Sequence, residues 1–313
     1  MASMDRVTFR ATMAQISVPA TSANIGPGFD SLGIALDLRD HYAAQILDDA
    51  TFDVDVTGEG AEELKTDKNN LVIKAMMKGF EFMGAKPRGI ALRALNNTPH
   101  GRGLGSSSSA IVGGLALSRA LVLGGDELLP DENLLALAAE LEGHPDNVAA
   151  ALLGGATIAW METSIVNGIE QTVGRAVRIH VDERIKAIAF IPETHLATSK
   201  ARKLLPETVP HKDAVLNTSH AALLVHALSQ RPDLLFSATE DHLHQAYRAE
   251  AMPKSAALLA KLRAAGVAAT ISGAGPTVLV LHTGTELDAD DIIHAAGAGF
   301  TARKLAISSH GVE

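Results

Sequence analysis

The chain has 313 residues, 47% hydrophobic and 20% charged, a globular composition with room for one large or two ordinary domains. A formal charge of −9 argues against a general nucleic-acid binder, and the lack of cysteine excludes disulfides, thiolate catalysis and cysteine-ligated metals. No apolar run reaches the roughly 18 residues of a membrane span, so no membrane partner is expected and the cytoplasm is the default compartment.

Residues 1–13 carry charges and no apolar segment, and read as a short loose tail. Residues 14–20 read as a strand, and 34–47 and 52–58 show partial two-residue alternation. A helical pattern follows at 69–85, then a strand at 89–97 that leads into a glycine-rich turn. Residues 107–125 form a helix that is apolar on most faces and therefore buried. A second helix over 131–143 has Asp131 near its start and Gly143 as a stop signal. Strands are predicted at 154–161 and 185–193, with a polar stretch near 162–184 between them. Helical patterns recur near 198–205, 212–229, 233–248 and 254–265. A strand–loop–strand unit at 268–282, a helix and a closing strand at 304–309 complete the chain. Strands and helices mix without a regular βαβ alternation, which favours α+β.

The turn is the chemically pointed feature. It reads Pro99, His100, Gly101, Arg102, Gly103, Leu104, Gly105, followed by four serines, Ser106, Ser107, Ser108 and Ser109. The glycines permit positive φ and close approach of backbone N–H groups to an oxyanion. A helix opening on the serines adds unpaired N–H groups and the positive end of its dipole. That makes an anion site without the Walker A lysine, and a serine hydroxyl there can ligand Mg²⁺. Gly113 and Gly114 inside the helix cost stability relative to alanine, which points to close packing at that helix.

Two further stretches complete the pattern: "VPATSANIGPGFDSLGIAL" (18–36) and "ISGAGPTVLVL" (271–281). The three together resemble the GHMP kinase superfamily. Its central motif, P-x-x-x-G-L-G-S-S, is met by Pro99, Gly103, Leu104, Gly105, Ser106 and Ser107. "PATSANIGPGFDSLG" and "EGHPDNVAAALLGG" make the chain most similar to the homoserine kinase branch, apart from Ala150 where relatives often carry proline.

The resemblance implies a two-lobed α+β fold, with an N-terminal ATP-binding lobe over 14–165 like ribosomal protein S5 domain 2. A ferredoxin-like C-terminal lobe would cover 166–313. It implies ATP and Mg²⁺, L-homoserine as the small-molecule substrate, and O-phosphohomoserine on the route to threonine. A different small alcohol, or a non-catalytic metabolite-binding role, are the alternatives, and a homodimer stays open as an assembly state. It also implies residue roles. Asp30 pairs with the homoserine ammonium, Asn24 and Gly273 line the amino-acid site, and Arg202 and Arg248 grip the carboxylate, a task suited to the planar guanidinium fork. Thr198 either caps its helix or touches substrate. Ser107 with a glutamate holds Mg²⁺, and Glu140 is favoured over Glu142. Asn70 stands near the adenine or caps a helix. Asn147 replaces the aspartate of mevalonate kinase-like relatives. An amide takes no proton at neutral pH, so Asn147 positions the acceptor hydroxyl, with Asp146 as a rival base and His144 ordering the loop. Asp241, His242 and His244 read as part of a surface helix.

Overall fold

The computed structural model describes residues 7–166, 169–284 and 288–313. Strands β1 (Ala14–Asn24), β2 (Gly28–Leu47), β3 (Phe52–Gly58) and β4 (Gly89–Asn96) join β5 (Ala156–Val166) and β6 (Ile169–Ile179) in the first sheet. Its order is β3-β4-β2-β5-β6, with β1 on β2; β3 and β4 run parallel and the other pairs antiparallel. Helices α1 (Leu71–Phe82), α2 (Ser106–Ala120), α3 (Gly125–Leu128), α4 (Asp131–Glu142) and α5 (Asp146–Leu153) belong to this lobe. Their apolar faces meet Val18, Tyr42, Ile90 and Leu92 of the sheet in one core. A Cβ on Gly113 would press on the Tyr42 ring, and one on Gly114 would collide with the α1 backbone at Val72. The helix glycines are therefore the cost of close helix–helix and helix–sheet contact.

The second sheet has the order β10-β7-β9-β8, built from β7 (Lys186–Ile191), β8 (Ala269–Ile271), β9 (Val278–His282) and β10 (Thr301–Ala306). Helices α6 (Thr198–Arg202), α7 (His211–Ser229), α8 (Leu235–Ala238), α9 (Gln245–Arg248), α10 (Pro253–Ala264) and α11 (Ala289–Ala296) accompany it. A core on one face of this sheet uses Phe190, Leu258, Leu262 and Ile292. Another joins Ile25, Ile34, Leu36 and Leu104 of the first lobe to Leu224, Leu228 and Leu279 of the second, so apolar packing holds the cleft between the lobes. Among the described residues, no helix is long and apolar enough to cross a membrane.

Several local expectations change. Residues 7–10 are not a loose tail: Arg10 N–H donates to Leu121 O, and Phe9 stacks edge-on against Phe80 at 5.5 Å. Residues 1–6 lie outside the described part. The polar stretch after 161 continues as the β5–β6 hairpin, so the first sheet runs to Ile179, past the boundary expected at 165. Residues 308–313 return to the first lobe, where Arg39 binds the carbonyls of His310 and Gly311, and Glu313 exchanges backbone hydrogen bonds with Ser17. The helix expected over 233–248 is broken between Ala238 and Gln245, because Asp241 accepts from the N–H groups of Leu243, His244 and Gln245 and starts a new turn there.

Candidate active site

Loop 101–105 is held by its carbonyls. Gly101 O accepts from Leu196 N–H (3.1 Å), Arg102 O from Thr277 N–H (3.3 Å) and Leu104 O from Thr21 N–H (3.0 Å). Gly103 O accepts from Ser272 Oγ at 2.6 Å. The donors come from the first and third motifs and from the 192–197 segment, which is why three separated glycine-rich stretches form one site. Arg102 points away from the anion site and donates to the Pro192 and Glu193 carbonyls. Gly103 and Gly105 have φ of 76° and 73°, and a Cβ there would strike Ser272 O or Thr21 Oγ1. Only glycine fits both demands. With the loop carbonyls turned onto protein donors, the amides of Ser106, Ser107 and Ser108 open α2 without an acceptor among the described residues; the first capped amide is that of Ser109, to Gly105 O. This is an oxyanion cradle at the positive end of a 15-residue helix.

Cavities lie on both sides of this cradle and share Ser106 and Ser107. The larger, about 210 Å³, runs between α1 and the first sheet past Asn70, Tyr42 and His100. Asn70 lies at its edge, but its side chain is spent locally: Oδ1 accepts from Val72 N–H, and Nδ2 donates to Lys65 O. The structure thus gives it the helix-capping role.

The smaller cavity, about 80 Å³, is lined by Asn24, Asp30, Asn147, Thr198, Arg202, Arg248 and Gly273 together with Glu142, His144 and Asp146. All the residues expected around the amino acid are brought together here. Asn24, Ile25 and Asp30 hold positive φ of 68°, 48° and 53°. Such values are costly for a β-branched isoleucine and persist only where surroundings impose them. Asn24 imposes part of this by donating to Gly273 O (2.8 Å) and accepting from Asp30 N–H (3.0 Å). Asp30 and Arg202 form a two-pronged ion pair, both contacts at 2.9 Å.

Arg248 is 1% exposed. Its Nη1 reaches His244 Nδ1 (3.2 Å) and Gly273 O (3.4 Å), its Nε has no partner among the described residues, and its guanidinium lies 5.3 Å from the Phe29 ring centre. No carboxylate among the described residues pairs with it. Burial, then the neighbouring Arg202 cation, lowers its pKa, as expected of a desolvated cation with no counter-ion beside it. His244 is the residue that sequence reasoning missed. It is not on a surface helix but fully buried, stacked on Phe29 at 5.3 Å, with Nε2 2.9 Å from Gly26 O. A donor Nε2 leaves Nδ1 to accept from Arg248 and fixes that guanidinium at the cleft wall.

The glutamate beside Ser107 is Glu142, not Glu140. Glu142 Oε1 accepts from Ser107 Oγ at 2.7 Å and Ser108 Oγ at 3.0 Å. Glu140, two residues earlier on α4 and therefore on the opposite face, pairs with Lys78 on α1 at 2.8 Å and its side chain is 61% exposed.

Asn147 Oδ1 accepts from the buried Thr21 hydroxyl at 2.8 Å, which leaves its amide nitrogen as the donor for a ligand. Asp146, 2% exposed, accepts from Asn147 N–H at 2.7 Å and lies 2.6 Å from His144 Nδ1. Burial pulls the His144 imidazole down, but the Asp146 hydrogen bond and charge, with Glu142 and Asp30 further off, outweigh it and hold the group above its ordinary 6.5. Its stabilising contribution is therefore full below pH 6.5 and is lost as pH rises through the raised folded value. An NMR titration is expected to place the His144 midpoint above 6.5 in the native protein and lower in Asp146→Asn; the same midpoint in both proteins would remove Asp146 as the cause.

An anion cradle without lysine, roofed by a third glycine-rich loop and set between two α+β lobes, defines a small-molecule kinase of the GHMP type. The chain belongs to the GHMP kinase family: the GHMP kinases N terminal domain matches residues 70–155, and GHMP kinases C terminal matches residues 220–301. It is 48% identical to a homoserine kinase of Streptomyces avermitilis, over 97% of this chain and 96% of that one. A homoserine kinase of Mycolicibacterium smegmatis is 47% identical over 93% and 92%. The crystal structure of homoserine kinase from Cytophaga hutchinsonii shares the fold, with a TM-score of 0.78, 24% identity and 98% coverage of both chains.

Proposed function

We propose that the protein transfers the γ-phosphoryl group of ATP to the hydroxyl of L-homoserine, releasing O-phospho-L-homoserine and ADP, a step of threonine biosynthesis. The observation that carries the substrate class is Arg248, a buried guanidinium on the cavity wall with no carboxylate partner among the described residues. A ligand carboxylate satisfies it. The Asp30–Arg202 pair next to it offers both charges that an α-amino acid zwitterion complements, Asp30 for the ammonium and Arg202 for the carboxylate.

The unpartnered amides at the start of α2 hold the phosphates. Ser107 and Glu142 present the hard oxygen donors that Mg²⁺ takes, and the ion bound there would neutralise charge on the phosphates. Asn147, oriented by Thr21, positions the acceptor hydroxyl through its amide nitrogen. Asp146 holds His144 and the Asn147 backbone N–H on one oxygen, Oδ1, and so orders the loop. The new O–P bond forms as the bond between the γ-phosphorus and its bridging oxygen to ADP breaks, and the hydroxyl proton passes to the transferred phosphoryl group. A loose transition state needs positioning and charge stabilisation more than an early proton acceptor.

Incubation with MgATP and a panel of alcohols, read by product mass, is expected to give phosphohomoserine. Phosphorylation of mevalonate or galactose with none of homoserine would overturn the assignment.

A further inference from the structure

A cluster outside the catalytic cleft has no role in the reaction above. His220 lies on α7, and Glu240 and His242 lie in the link between α8 and α9. One nitrogen of each imidazole and one Glu240 carboxylate oxygen all lie within 4.8 Å of one another. The two rings are 5.6 Å apart, tilted by 32°. His220 Nδ1 and His242 Nε2 are buried atoms without a hydrogen-bond partner among the described residues, although the latter lies 3.2 Å from Glu240 Oε1. A buried ring nitrogen without a hydrogen bond costs stability, since each buried polar atom needs a partner.

We propose that His220, Glu240 and His242 form a zinc-binding site. Two imidazoles and a carboxylate are a borderline nitrogen–oxygen donor set that suits Zn²⁺, with a fourth position for water. The Glu240 side chain is 48% exposed, which gives the ion a way in from solvent. Tetrahedral zinc with bonds of about 2.0–2.1 Å places its ligands roughly 3.3 Å apart, so side-chain rotation is enough to close the cluster. The surrounding backbone is already fixed. Asn217, one turn before His220 on α7, accepts from His242 N–H at 3.1 Å and donates to Pro27 O at 2.8 Å. A bound ion would clasp α7 to the segment containing Asp241 and His244, the residues that start α9 and hold Arg248. The site is thus a clamp behind the substrate cavity, separate from the Ser107–Glu142 donors.

The test is titration of the untagged full-length protein with zinc alone by calorimetry, together with melting curves and cobalt(II) absorption. One zinc per chain, a rise in Tm and the visible bands of tetrahedral cobalt are expected. His220→Ala and His242→Ala should each weaken zinc binding by about 100-fold or more, and Glu240→Gln by about tenfold. Absence of saturable one-to-one binding by the native protein would overturn the proposal, as would undiminished affinity in the histidine variants. Should a histidine variant fail to fold, the half-exposed Glu240→Gln decides: unchanged affinity and unchanged cobalt bands there also overturn it.

Discussion

Glu142→Gln is expected to lower kcat by about 100-fold or more, while Glu140→Gln leaves kcat within about twofold of the native value. The contrast follows from helix geometry. Both glutamates end α4, yet residues two apart face opposite ways, and only Glu142 meets the Ser107 and Ser108 hydroxyls at the phosphate cradle. Glutamine has the same shape and can still accept from those serines, so the fold is retained while the negative charge is removed. On the proposed reading the charge matters because a Mg²⁺ ion held there would take an anionic oxygen into its shell. Glu140 is tied to Lys78 on the surface, a contact whose loss costs little. Steady-state kinetics at varied Mg²⁺ check this: Glu142→Gln should also raise the Mg²⁺ needed for half-maximal rate. A silent Glu142→Gln would remove this carboxylate from the metal site, and a damaging Glu140→Gln would mean that the Lys78 pair matters to catalysis.

How far the site could be read from residues alone depended on how local each signal was. The glycine turn into α2 was legible because it sits in consecutive residues: glycines with φ near 70° and then a helix start. Motif matching favours Glu140, whereas Glu142 is the one beside Ser107: residues two apart face opposite ways, but their spacing does not say which face meets α2 and which meets α1. His244 was missed because a charged, leucine-containing run around it matches helical periodicity. Asp241, read as helix body, instead takes three backbone N–H groups onto its carboxylate and breaks the helix. That break turns His244 inward against Phe29. The β5–β6 hairpin was lost in a polar stretch because much of it is solvent-exposed, with Trp160 40% and Ile165 76% exposed, so no buried face marks its period. The Asp30–Arg202 pair spans 172 positions, and only the assembled lobes bring it about.

On the proposed reading the arginines carry the substrate class, and the structure makes them unequal. Arg248 is buried and, among the described residues, has an unpartnered Nε and no carboxylate partner, so its desolvation has already been met by folding. Arg202 is 43% exposed in its side chain and already holds Asp30 by two contacts, so a substrate carboxylate must compete with that pair and with water. Charge-assisted hydrogen bonds are worth about 1.5–3 kcal/mol, or roughly one to two decades in kcat/KM. Arg248→Met should fall at the upper end, about 100-fold for homoserine, and Arg202→Met nearer tenfold. Methionine keeps an unbranched apolar stem, so the comparison reads the guanidinium more than a cavity. The KM for ATP should stay within about twofold in both variants, because neither residue reaches the α2 amides. The double variant should lose less than the sum of the two, since both groups serve one carboxylate. The decisive comparison adds homoserine amide, whose neutral group removes the partner from the substrate side. The native enzyme should prefer homoserine to the amide strongly, Arg202→Met less so, and Arg248→Met least. If all three proteins discriminate equally, neither guanidinium reads the carboxylate. If Arg202→Met loses the preference while Arg248→Met keeps it, the exposed ion pair rather than the buried cation is the recognition element.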